Sequence, residues 1–135
     1  MTTSLQREAV EVQCTEHRVL VCGSRDFIDA QFLNSTLDDL HATCPITHII
    51  EGEAKGADTL ARLWGWSRQV PVLRFPAHWD LYGRGAGPLR NKQMLNEGQP
   101  HLVVAFSYNI AASRGTANMM KQAKAAGVSV QFYGR

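Results

Sequence analysis

Five short apolar runs recur along the chain: RVLVCGS at 18–24, THII at 47–50, VPVLRF at 70–75, HLVVAF at 101–106 and VSVQF at 128–132. Between each pair lies a stretch long enough for a helix. Neighbouring strands so widely spaced cannot be joined by tight hairpins, so they require crossover connections and a parallel sheet. The intervening stretches carry the matching period. Leu33, Leu37 and Leu40 fall on one helical face in a segment starting near Ile28, and Leu60, Ala61 and Trp64 do so within 58–69. Residues 88–97 read as a short helix, and 113–126 as another, with Ala112, Met119, Ala123 and Ala126 near helical spacing. The expected fold class is α/β: a Rossmann-like three-layer sandwich with a mainly parallel five-stranded sheet and right-handed crossovers. We take the strand order 3-2-1-4-5. In it the sheet reverses its direction of growth between strands 1 and 4, opening a crevice above their carboxyl ends. Pro71 lacks a donor and favours the first position of strand 3 or an edge.

The 135 residues suit one domain. Residues 1–17 show no periodicity and are read as a tail or edge extension, leaving 18–135 as the domain. Apolar runs of a few residues fall far short of the roughly 20 needed to cross a bilayer, so no membrane partner is expected. The start, MTTSLQREAVEVQ, lacks the basic-then-apolar pattern of a secretory signal, and a cytoplasmic location is expected. Cys14, Cys22 and Cys44 have neither disulfide-framework nor zinc-knuckle spacing, and no metal site is expected. The formal net charge of +2, without an extended basic tract, argues against a nucleic-acid groove. It leaves room for a small anion.

Four segments at the strand ends carry the chemistry. In GSRDF, after strand 1, Gly23 lets the chain turn with amides exposed, Ser24 offers a hydroxyl and Arg25 a planar fork suited to phosphate. In EGEAKGAD, after strand 2, Gly52 and Gly56 flank Lys55 before a helix whose first-turn amides make an anion site. Asp58 is placed to cap those amides. Glu51 and Glu53 would repel phosphate unless they face a sugar or base. The long polar loop from Pro76 to about Gly87 holds Trp79 and Tyr82, able either to stack on a base or to pack beneath the loop, together with Asp80. Beyond Pro88, Arg90 and Asn91 stand near a helix start, where Arg90 can clamp phosphate. After strand 4, Ser113 is a capping candidate, Arg114 a cation, Gly115 a point of close approach and Thr116 a hydroxyl. No G-x-G-x-x-G follows strand 1, so the standard dinucleotide fingerprint is absent.

Taken in order, GSRDF, GEAKGADTLA, PAHWDLYGRGAGPLRNKQM and SRGTANMMKQA resemble the YspA-like family of the SLOG superfamily, relatives of lysine decarboxylase-like and DprA-like Rossmannoid proteins. The resemblance covers about residues 18–134. It implies binding of a nucleotide or nucleotide-derived ligand, with roles for Gly23, Ser24, Arg25, Gly56, Asp58, Arg90, Asn91, Gly115 and Thr116. Its phosphoribohydrolase branch carries P-G-G-x-G-T-x-x-E, where this chain has AASRGTANM, with Met119 in place of the glutamate and the double glycine missing.

Three functions follow as expectations. The first is binding or sensing of a nucleotide-like ligand, without a required cofactor, although Mg2+ would accompany a polyphosphate. The second is hydrolysis of the N-glycosidic bond of a nucleoside 5'-monophosphate, with Glu51, Glu53 or Asp80 supplying the carboxylate that Met119 cannot. The third is a protein-interaction module. Trp64 and Trp66 cannot share one helical face, so one is available to a subunit surface, and a homodimer is the commonest assembly.

Overall fold

The computed structural model describes residues 16–134; the sequence-defined tail, 1–17, lies outside the described residues apart from Glu16 and His17. The strands are β1 Arg18–Gly23, β2 His48–Glu51, β3 Val72–Arg74, β4 Leu102–Phe106 and β5 Ser129–Tyr133. All pairings are parallel, in the order β3-β2-β1-β4-β5. The expected order is therefore the observed one, and the switch point falls between β1 and β4. Helices α1 (Ala30–Thr43), α2 (Ala57–Ser67), α3 (Trp79–Tyr82), α4 (Ala86–Gln93) and α5 (Arg114–Ala125) fill the crossovers.

Alternation along β1 divides the core. Val19 and Val21 join Leu33, Leu37, Ala61, Trp64 and Phe106 on the face covered by α1 and α2. Leu20 and Cys22 join Ile50, Met94, Val103, Met119 and Ala123 on the opposite face, under α5 and the turn after α4. Successive strand residues point to opposite sides, so one apolar run supplies two cores and the sheet must be covered twice. β1 and β4 lie at the centre of the sheet, with Val19, Leu20, Val21 and Val103–Phe106 fully buried. β3 is a three-residue edge strand beginning just after Pro71, whose carbonyl still accepts from Ile49 N at 2.9 Å.

Three local expectations are revised. The first helix starts at Ala30 rather than near Ile28, because the Asp29 carboxylate accepts from Phe32 N at 3.1 Å and fixes the N-cap. The segment 76–87 is not one open loop: it contains α3, a 3-10 turn at Gly83–Gly85 and the start of α4. The helix expected at 88–97 begins two residues earlier and ends in a π turn, Met94–Gly98, which seats Met94 in the second core.

Candidate functional site

The loops leaving β1 and β2 meet through glycine. A Cβ on Gly23 would lie 2.6 Å from that of Ala57, the first residue of α2. Gly56 has φ +82, and a Cβ there would lie 2.8 Å from the Arg25 carbonyl oxygen. Both glycines are thus required, one for approach and one for backbone conformation. They hold Ser24 and Arg25 against the start of α2. Ser24 is 7% exposed, and its Oγ is the buried side-chain polar atom without a hydrogen-bond partner among the described residues. A buried orphan hydroxyl costs roughly 1–3 kcal/mol unless something pairs with it. Its backbone is fully engaged: the amide donates to Phe106 O at 2.9 Å and the carbonyl accepts from Phe27 N at 3.2 Å.

Two helix starts accompany this hydroxyl. Gly56 caps α2 without a side chain, and Ser113, although at the N-cap of α5, makes no capping bond. This corrects the role expected of Ser113: its Oγ is 2.7 Å from Ser107 Oγ, an alternative partner buried behind the loop. First-turn amides at α2 and α5 are therefore left for an acceptor other than a capping side chain. Gly115, in the first turn of α5, has no atom within 4 Å of the Cβ position, and Thr116 beside it is buried. Lys55 and Arg114 are exposed at these helix starts and form no ion pair among the described residues.

Asp58 also differs from expectation. It is buried in the first turn of α2, but its Oδ2 accepts from Gly52 N at 3.0 Å and Ala54 N at 3.2 Å. It braces the loop before the helix rather than capping the helix itself. Burial, and secondarily Glu51, push its carboxyl up to about 7, against the lowering effect of the two amides and Arg90. Cys22, below it, is raised further by burial and by Asp58, so the thiol stays protonated and inert.

The carboxylates proposed for catalysis are distributed differently. Glu51 is 0% exposed and receives a two-bond clamp from Arg62, Nε to Oε2 at 3.0 Å and Nη2 to Oε1 at 3.1 Å. It also accepts from Glu53 N at 2.6 Å and lies 3.7 Å from Arg74 Nε. Glu53, at φ +60, pairs with Arg74 Nη2 at 2.8 Å. Asp80 is exposed in α3, and Met119 is buried in the second core. Arg62 and Arg74 were not singled out in the sequence, because nothing local links them to Glu51.

Arg90 crosses from α4 to the β2 loop. Its Nη1 donates to Gly52 O and its Nε donates to Asn91 Oδ1, and any Cβ on Gly52 would meet the guanidinium. These two bonds fix the guanidinium plane and leave Nη2 without a partner among the described residues. Asn91 is buried and donates to Gly115 O at 3.2 Å and Asn118 Oδ1 at 3.1 Å, fastening α4 to the start of α5. Gln122 donates to the same Asn118 oxygen at 2.7 Å. Asn118 and Gln122 stand four apart on one helical face, a spacing visible in the sequence but not used. Arg25 lies over the Trp79 ring at 5.9 Å, and Trp79 covers Gly87. Trp79 and Tyr82 both reach the surface rather than packing beneath the loop, at 47% and 56% exposure.

Contacts thus link the loops after β1 and β2 to α4 and the start of α5 at one end of the sheet, while Lys55, Arg114 and Thr116 share that end without side-chain hydrogen bonds or ion pairs among the described residues. The sequence profile of the YspA, cpYpsA-related SLOG family (YAcAr) matches residues 17–82. The Gene 61 protein of Mycobacterium phage D29 is 33% identical over 124 residues, covering 87% of this chain and 96% of that protein. The chain belongs to the YspA, cpYpsA-related SLOG family. DNA processing protein A (DprA) from Streptococcus pneumoniae has a similar fold, with a TM-score of 0.52 and 15% identity. That likeness covers 90% of this SLOG chain and spans 60% of the DprA chain. Among the described residues no helix is long and apolar enough to cross a membrane, and no three His, Cys, Asp or Glu side chains gather around a metal position.

Proposed function

We propose that the crevice at the carboxyl ends of β1, β2 and β4 binds a nucleotide or nucleotide-derived ligand through its phosphate. One observation carries this reading: the buried, unpartnered Ser24 Oγ, held by Gly56 against the uncapped start of α2. A phosphate oxygen would satisfy that hydroxyl and accept from helix amides in the same step. Lys55, Arg114 and the uncommitted Arg90 Nη2 supply positive charge around it. A monophosphate needs no metal here, while a polyphosphate would bring Mg2+ with it.

Binding is favoured over N-glycoside hydrolysis on the same geometry. Glu51 and Glu53 are committed to Arg62 and Arg74, so neither carboxylate is left free to orient a water at a glycosidic bond. We extend the reading to a cytosolic homodimer, with Trp66 as the exposed member of the tryptophan pair, 55% exposed while Trp64 is buried.

Isothermal titration calorimetry against inorganic phosphate, nucleoside mono-, di- and triphosphates and a single-stranded DNA oligonucleotide tests the proposal. The oligonucleotide is included because DprA, the structural neighbour, is a DNA processing protein. Saturable heat with a mononucleotide, retained with chelator present, is the expected result. Heat with the oligonucleotide alone would replace the ligand class, and silence with every probe would end the reading.

A further inference from the structure

Beside Arg90, a cavity of about 290 Å³ opens between the segment after β3 and α4. Its wall is mixed in a specific way. Leu89, Ala86 and the ring of Tyr82 supply apolar surface, while His78, Gln93 and Arg90 supply polar groups. The Gln93 amide, the His78 imidazole and the Tyr82 hydroxyl make no side-chain hydrogen bond among the described residues. Each is therefore available, in contrast to the carboxylates after β2. At about 30 Å³ per water, the cavity has room for roughly ten waters, and it lies at the lower edge of the usual range of about 300–1,000 Å³ for small-molecule sites. That is space for one heterocycle with part of a sugar, not for a dinucleotide.

Arg90 joins the two compartments. Its guanidinium is pinned to Gly52 and Asn91, lines the cavity, and belongs to the same loop cluster as the phosphate crevice. We infer that this cavity receives the base of the ligand, with Tyr82 as the stacking surface and Gln93 as the group that reads the base edge. The inference rests on the phosphate-binding reading of the crevice and adds to it a ligand class: a nucleoside monophosphate bound at both ends. A glutamine amide presents one donor and one acceptor side by side, which is the pattern complementary to the amide- or amidine-like edge of a nucleobase. Tyr82 presents a rigid π-face that any base can use.

The test compares AMP, GMP, CMP and UMP with ribose 5-phosphate, the base-less probe, in calorimetric titrations of the intact chain and of Gln93→Leu and Tyr82→Ala. The best nucleotide is expected to bind at least about tenfold more tightly than ribose 5-phosphate, a difference of one base contact or more. Each substitution should bring the nucleotide toward the ribose 5-phosphate level while leaving ribose 5-phosphate itself unchanged, which also shows that the variants fold. Equal affinity for ribose 5-phosphate and all four nucleotides would overturn the inference and leave the crevice reading standing. So would a nucleotide preference that survives both substitutions. Failure of every probe to bind would overturn the crevice reading, and this inference with it.

Discussion

The end of β2 with its following loop and the segment after β3 both carry polar side chains at one end of the sheet, and use them in opposite ways. After β2, the side chains of Glu51, Glu53 and Asp58 are all engaged: two by arginines and one by the amides of its own loop. After β3, His78, Tyr82 and Gln93 line a cavity with their polar atoms unspent. The first segment is a brace and the second is a surface held ready by it. Charge in a sequence therefore does not by itself mark chemistry. What matters is whether the partner that would neutralise it comes from the same protein.

The sharpest way to break this contrast is to remove the brace. Glu51→Ala leaves Arg62 and Arg74 facing an empty buried position, and the expected loss is about 3 kcal/mol of unfolding free energy by chemical denaturation. A loss well under about 1 kcal/mol would mean that the clamp is not structural. Glycine substitution separates the two segments next. Gly56→Ala combines a positive φ with backbone contact to Ser24 and Arg25 and should cost about 2 kcal/mol. Gly83→Ala, also at positive φ but with nothing within 4 Å, should cost about 1 kcal/mol or less.

The pH profile sharpens the comparison further. Asp58 has its carboxyl raised to about 7, above its ordinary 3.8, so the folded chain holds a proton that the unfolded chain releases between those values. Its contribution to stability is fully present below about 4 and is lost as pH rises toward and through about 7. Asp58→Asn, which keeps an oxygen for the Gly52 and Ala54 amides, should flatten that part of the stability profile measured by denaturation at a series of pH values. An unchanged slope would show that another group titrates there. The smallest expected effect on stability is that of Ser24→Ala. Losing an unpaired hydroxyl should change unfolding free energy by about 1 kcal/mol or less, in the stabilising direction.

The contrast also explains what could be seen in the sequence. The five parallel strands and the glycine turns at Gly23 and Gly56 were legible because they follow from period and backbone freedom, both local properties, whereas the strand order was a choice among right-handed crossover topologies that the observed pairing matches. The roles of Glu51 and Asp58 were not. Arg62 and Arg74 reach Glu51 from a helix and an edge strand, and no local spacing announces their approach. The missing capping bond of Ser113, which does occupy the N-cap position, has the same origin: its competing partner, Ser107, is reached only after the turn between β4 and α5 has folded back. Gln93 lies inside the PAHWDLYGRGAGPLRNKQM stretch but carries no charge to draw attention, and its value emerges only from the cavity it lines.

The central claim is that the Ser24 hydroxyl and its neighbouring helix amides hold phosphate. Parallel titration of the wild type and Ser24→Ala with AMP tests it most directly. Loss of one charge-assisted hydrogen bond, about 1.5–3 kcal/mol, should weaken AMP by roughly tenfold or more while the variant melts at or above the wild-type temperature. Identical AMP affinity in the two proteins, or no AMP binding by either, would contradict it.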